Sequence, residues 1–178
     1  NSKTNFSNPP LSFELRGISY SYPGLKSKCL NNLNFSIQKG EIIGIYGESG
    51  SGKSTFLDVI LTLLKPSDGA YIVNKKNLSK QRDIIENWVK YIAHVPQMLY
   101  LFDTTIKNNI LFGIENNSEN LSKLDMVSKI TLIDKMIPYE DYKNYRVGFN
   151  GSKLSGGQIQ RIAIARALII GKPVLVLD

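Results

Sequence analysis

Gly47-Glu48-Ser49-Gly50-Ser51-Gly52-Lys53-Ser54, with Thr55 directly after, is the stretch whose residue types and spacing can do chemistry. Its three glycines let the backbone curl until successive N–H groups point at a single anion. A helix starting there adds bare amides and partial positive charge. Lys53 supplies a full charge near the outer phosphates of a nucleotide, and the Ser54 hydroxyl suits Mg²⁺. Such a cradle binds a nucleoside triphosphate, provided that a strand enters it and a helix leaves it. Ile42-Ile43-Gly44-Ile45-Tyr46 is short and rich in β-branched residues, which predicts a buried strand. Phe56, Leu57, Ile60, Leu61 and Leu64 recur at helical spacing and predict a helix over 54–64.

A second constellation stands about a hundred residues further on. In Leu154-Ser155-Gly156-Gly157-Gln158, Ser155 can cap the helix that follows, and two glycines leave its first N–H groups bare. Gly157 to Ile170 is expected to be that helix, making a second anion-binding terminus. Around these stretches the pattern reads as α/β. Phe13–Arg16 and Ile18–Tyr22 alternate as half-exposed strands, and Asn34–Ile37, Ala70–Val73 and Tyr91–Val95 read as further strands. Arg82–Trp88 and most of 105–137 read as helical, with Ile106, Ile110, Leu111, Leu124, Val127 and Ile130 as core candidates. Residues 143–153 form a polar, glycine-punctuated loop. Pro173-Val174-Leu175-Val176-Leu177 reads as a central strand.

Composition narrows the class. At 178 residues, 42% hydrophobic and 21% charged, the chain suits one globular domain. No apolar run reaches the roughly 18–20 residues of a membrane-spanning helix. The Asn/Ser/Pro-rich beginning does not read as a signal peptide. Cys29 is the single cysteine, so no intrachain disulfide is possible and a reducing compartment is expected. The net charge of +7 comes from 22 basic and 15 acidic residues, with the basic ones divided evenly about position 89. Dispersed charge of this kind reads as solvated surface, and no nucleic-acid partner is expected. An apolar run closing the chain at Asp178 and a beginning without Met lead to the expectation of an internal piece of a longer protein.

Phosphate loop, Ser155–Gln158 signature and apolar strand ending in Asp178, in that order, resemble the ATP-binding cassette (ABC) ATPases, in which LSGGQ is the signature sequence. The resemblance covers nearly the whole chain. It implies a P-loop NTPase core with an N-terminal antiparallel β-subdomain and a helical signature subdomain over about 98–170, the C-terminal part being absent. Residues 1–10 would then be a linker from an upstream membrane domain, and 11–178 the incomplete ATP-binding domain. The cofactors implied are ATP and Mg²⁺. Tyr22 matches the aromatic residue that stacks on adenine. Gly47, Glu48, Ser49, Gly50, Ser51, Gly52, Lys53, Ser54 and Thr55 match the phosphate loop, with Lys53 in a catalytic role. Gln97, in Val95-Pro96-Gln97, matches the Q-loop glutamine that reaches Mg²⁺ and the attacking water. Asp178 matches the Walker B aspartate. Ser54, Gln97 and Asp178 would therefore surround the metal. Ser155, Gly156, Gly157 and Gln158 match the signature that closes over ATP held by a second subunit, so a second ABC domain, identical or not, is the implied partner. The family's general-base glutamate would directly follow Asp178. His94 lies just before Gln97 and does not match the family's switch histidine.

Leu99–Gly113 is similar to the exporter pattern LF-x-x-TI-x-x-NI-x-x-G, and Val147-Gly148-Phe149-Asn150-Gly151 resembles the exporter X-loop, with Phe149 in place of the usual acidic residue. This implies a transmembrane domain on the same full-length chain, at the cytoplasmic face of a membrane. Glu48, Asp58, Trp88 and Phe102-Asp103 lean toward flippases of lipid-linked oligosaccharide or polysaccharide precursors. The rival readings are an importer ATPase, a soluble ABC ATPase acting on nucleic acid or ribosomes, and a non-catalytic nucleotide-binding module. The DNA-repair type of soluble ATPase would carry a long heptad coiled coil between the two motifs, and none is visible.

Overall fold

The computed structural model describes residues 10, 12–25, 27–78, 80, 83–84, 87–137 and 141–178. The expected linker over 1–10 falls outside them except for Pro10, and so does part of Arg82–Trp88. The chain divides into two compact units, 1–92 and 93–178.

The first unit is built on antiparallel strands in the order β2-β1-β3-β4. They are β1 (Ser12–Tyr20), β2 (Leu30–Gln38), β3 (Asp68–Val73) and β4 (Lys76–Leu78). Two stretches expected as separate strands are thus one, β1, which passes Gly17 in a left-handed conformation (φ 62°) and shifts register there against both neighbours. Alternation places Phe13 and Leu15 inside, and beyond the shift Ile18, Ser19 and Tyr20 are all buried. Gly69 of β3 lies against this irregularity at φ 101°. A Cβ there would sit 2.7 Å from the Arg16 carbonyl oxygen and 2.7 Å from the Ile18 nitrogen.

Under the strands runs α1 (Lys53–Ile60), whose Phe56, Val59 and Ile60 are buried. It is shorter than its periodicity predicts, because Thr62 turns left-handed (φ 59°) and Pro66 follows. Two buried aromatic side chains donate to carbonyls at the helix end, where Val59 O also accepts the Thr62 N–H (3.0 Å). The Tyr71 hydroxyl donates to Val59 O (2.9 Å) and the Trp88 indole N–H donates to Ile60 O (2.9 Å). Trp88 also stacks on Phe13, with centroids 3.9 Å apart and planes 6° from parallel. Burial pushes the Tyr71 hydroxyl well above its usual pKa, so it stays a donor. The described part of 82–88 carries two helical bonds, from Ile84 N–H to Lys80 O (3.2 Å) and from Trp88 N–H to Ile84 O (2.8 Å).

The second unit has its core between α2 (Ile106–Ile110), α3 (Ser118–Ile130) and α4 (Gly156–Ile169). Ile106, Ile110, Leu111, Leu124, Val127, Val147 and Ile162 are buried together. Ile130 is not among them. It is 65% exposed on the last turn of α3, because the chain turns inward at Ile133 instead. β5 (Ile92–Val95) and β6 (Val174–Leu177) form a two-stranded sheet. Ala93 and Val95 pack on Ala163 and Ala167, small residues one turn apart that let strand and helix approach closely.

Two strand expectations need correction. Ile42–Tyr46 belongs to no ladder and Ile42 is 99% exposed, so the run is not a buried strand here. β6 forms where expected, yet Leu175 and Leu177 are exposed, so it is half-buried rather than central. An apolar run becomes a core strand only where another strand pairs with it, and neither run specifies that partner.

The close approach of Gly69 yields a stability prediction. Gly69→Ala should lower the unfolding free energy by about 2 kcal/mol or more in urea denaturation, combining a left-handed Ala with a backbone clash. A change within about 0.5 kcal/mol would mean that the β1 irregularity yields freely.

Candidate functional site

The glycine-rich loop enters α1 without a side-chain cap. The N-cap residue is Gly52, at φ 91°, and no side chain accepts from the first N–H groups. Any Cβ at Gly52 would meet the Cys29 carbonyl oxygen at 3.1 Å in a strained conformation. Phe56 N–H closes the first helical bond on Gly52 O (2.8 Å), and Ser51 N–H bonds Glu48 O (3.2 Å). The Lys53 ammonium is turned back into the loop, donating to Gly47 O (2.9 Å) and Glu48 O (2.6 Å). Loop amides, a lysine held over the loop and an exposed Ser54 hydroxyl therefore share one helix start. That donor set fits phosphate oxygens and, at Ser54, a hard cation.

Tyr22 belongs to the same end of α1. It lies just past β1 in a turn closed by Leu25 N–H on Tyr22 O (3.1 Å). Its hydroxyl is 2.9 Å from Thr55 Oγ1, and its ring meets Tyr20 edge-on at 5.1 Å and 85°. Cys29 Sγ also donates to Thr55 Oγ1 (3.3 Å). The loop borders a concavity of about 390 Å³, lined by Leu30, Asn34, Tyr46, Gly47, Ser51, Lys53 and Phe56 among others. Tyr22 and Thr55 are not among its lining residues.

In the second unit Asp178 stands at the end of β6 and Gln97 two residues past the end of β5. Asp178 N–H bonds Val95 O (3.0 Å), which puts the aspartate at the end of β6 beside the stretch that leaves β5 for Gln97. Gln97 is exposed at a bend. His94 is half-buried within β5, with Nε2 lacking a hydrogen-bond partner among the described residues. Among the described residues no three His, Cys, Asp or Glu side chains gather as a metal site.

The Ser155–Gln158 motif forms a capping box at the start of α4. Gln158 N–H bonds Ser155 Oγ (3.3 Å), and Ser155 N–H bonds Gln158 Oε1 (2.8 Å). Gln158 Nε2 reaches Met136 O (3.4 Å). The expectation of bare amides thus holds only in part, because the Gln158 amide is taken. Gly156 and Gly157 are exposed, with open space where a Cβ would project.

Sequence reasoning missed one polar cluster. Arg166 on α4 donates through Nε to Asn109 O (2.9 Å), through Nη1 to Tyr100 O (3.0 Å) and through Nη2 to Asn109 Oδ1 (2.9 Å). Asn109, fully buried, also accepts from Phe102 N–H (3.0 Å) and donates to Phe102 O and Thr105 O. Burial depresses the pKa of the guanidinium, which here has backbone and amide oxygens as its acceptors. Leu101 N–H to Asn150 Oδ1 (3.3 Å) and Val147 N–H to Thr104 O (3.0 Å) tie the same stretch to the 147–151 loop. The available signal was a lone arginine within Ile162-Ala163-Ile164-Ala165-Arg166-Ala167.

Comparison with known proteins follows from this geometry. The family model described as ABC transporter matches residues 30–178. A putative export ATP-binding/permease protein of Rickettsia bellii is 38% identical over 170 residues, covering 94% of this chain and 29% of its own length. The ATP-dependent lipid A-core flippase of Haemophilus influenzae is 34% identical over 168 residues, covering 93% of this chain and 28% of its own. Among solved structures, a bacterial Atm1-family ABC exporter with ATP bound superposes with a TM-score of 0.79 at 30% identity, over 97% of this chain and 30% of that one. The chain thus spans under a third of the length of these relatives.

Removing the half-buried guanidinium tests the Arg166 cluster. Three charge-assisted bonds outweigh the burial penalty, so Arg166→Met should cost about 1.5–3 kcal/mol in chemical denaturation. A gain in stability would mean that desolvation of the guanidinium dominates.

Proposed function

The chain belongs to the ABC transporter family, and on that premise we propose that it is the ATP-binding domain of an exporter, binding Mg-ATP at Gly47–Thr55. The observation that carries this reading is the uncapped start of α1, wrapped by Gly47–Gly52 with Lys53 held over it. Residues 11–178 would be the domain, with 98–170 as its helical subdomain. In the full-length protein it would join a transmembrane domain at the cytoplasmic face of a membrane. The names of the export and flippase relatives support that extension.

In this reading Tyr22 offers its ring to adenine, and the loop amides and Lys53 hold the phosphates. On binding, the Lys53 ammonium exchanges the carbonyls of Gly47 and Glu48 for phosphate oxygens, a charge-assisted gain. Bound Mg²⁺ supplies charge neutralisation on the phosphate oxygens. Ser54 would hold it from the loop, and Gln97 and Asp178, just past β5 and β6 in the second unit, match the family's other metal-contacting groups. Gln97 would also orient the water that attacks the γ-phosphate in line. Charge spreading over the transferred oxygens is met by Lys53 and the loop amides. The α4 start carries only Gly156 and Gly157 amides and the Ser155 edge for a ligand. That suits a terminus closing over ATP held by a second ABC domain rather than one binding alone. Turnover would then need two such domains.

Two outcomes are expected. Lys53→Ala should weaken Mg-ATP binding by about tenfold or more in calorimetric titration, through the lost ammonium–phosphate bonds. Unchanged affinity would contradict the site. The 178-residue chain alone should bind Mg-ATP without sustained turnover, and steady phosphate release that Lys53→Ala abolishes would overturn that expectation.

A further inference from the structure

We propose that Thr55 is a positioning residue for Tyr22, holding its ring as a platform set in advance for the base of the nucleotide. The inference rests on the ATP reading above and extends it to the apparatus that receives the base. Tyr22 and Thr55 lie 33 positions apart, yet their oxygens are 2.9 Å apart.

Tyr22 lies in a turn outside the ladder. A loop aromatic free to rotate would lose side-chain entropy on stacking. Two contacts remove that freedom beforehand. The edge-on Tyr20 ring restrains the plane of Tyr22, and the Thr55 hydroxyl holds its far tip. Thr55 can bear this role because it is itself fixed, 5% exposed in the first turn of α1. Its oxygen takes the Cys29 thiol as well, within its capacity of one donated and two accepted bonds. Tyr22 keeps 39% of its surface exposed, which leaves ring surface open for a base. A phenylalanine would stack as well but would lack the hydroxyl that ties the ring down. The phosphate-binding helix and the base-binding ring are thereby one preorganised unit.

The test is a double-mutant cycle on the protein as its gene encodes it, titrated with Mg-ATP and with inorganic tripolyphosphate. Tyr22→Phe should weaken ATP binding about three- to tenfold, the worth of one hydrogen bond, and leave tripolyphosphate binding as it was. Thr55→Val should weaken ATP at least as much, and adding Tyr22→Phe to it should bring no further loss. Unchanged ATP affinity in Tyr22→Phe, equal losses for ATP and tripolyphosphate, or additive losses in the double variant would each overturn the proposal. So would a lowered melting temperature with ATP affinity intact, which would mark the bond as structural only. Lys53→Ala separates the two levels. ATP binding indifferent to that change would remove the ATP reading itself, whereas Lys53-dependent binding with no Tyr22–Thr55 coupling would remove only this inference.

Discussion

An α-helix begins with N–H groups that nothing inside it can satisfy, and the two glycine-flanked helix starts of this chain meet that constraint differently. At α1 the N-cap is Gly52 and no side chain intervenes, so the loop amides are left for an outside anion. At α4 Ser155 and Gln158 bond each other's backbone, which leaves mainly the two glycine amides. The first start can cradle phosphates by itself. The second is half-closed, with Gly156 and Gly157 exposed beside the capping box.

The rest of the first unit serves to hold α1 still. Its far end is fixed by two buried aromatic donors, Tyr71 and Trp88, and its near end by the Thr55 hydroxyl with Tyr22 and Cys29. The helix stops where the chain turns left-handed at Thr62, whose N–H bonds Val59 O beside the Tyr71 hydroxyl. In the second unit α4 is held near its own far end by Arg166, whose bonds to Asn109 and Tyr100 bind it to the exporter-like stretch. Each unit therefore carries one glycine-flanked helix start backed by buried donors.

Chemistry was far more legible than burial. Lys53, Ser54 and the loop glycines declare themselves, because phosphate binding demands particular residue types at fixed spacing. The capping role of Ser155 followed from local rules alone. What the residues could not declare was partnership across the fold. Ile42–Tyr46 has the composition of a core strand and no ladder, and Ile130 has the right spacing and the wrong side of the turn. Tyr22 was expected near adenine from a resemblance, but its bond to Thr55 depends on how β1 and α1 pack. Neither Arg166 nor Asn109 follows a spacing rule, and only packing joins the half-buried guanidinium to the buried amide.

The central claim is that the Gly47–Thr55 cradle of one copy and the Ser155–Gln158 edge of another close on the same ATP. The direct measurement uses the full-length protein with Cys29→Ser, co-expressed as two tagged copies, one carrying Ser51→Cys and the other Ser155→Cys. Mg-ATP should bring the two cysteines together and yield a disulfide-linked heterodimer under mild oxidation, with Lys53→Ala in the Ser51→Cys copy suppressing it. Cross-linking that is absent, or that proceeds equally without ATP, would contradict the account.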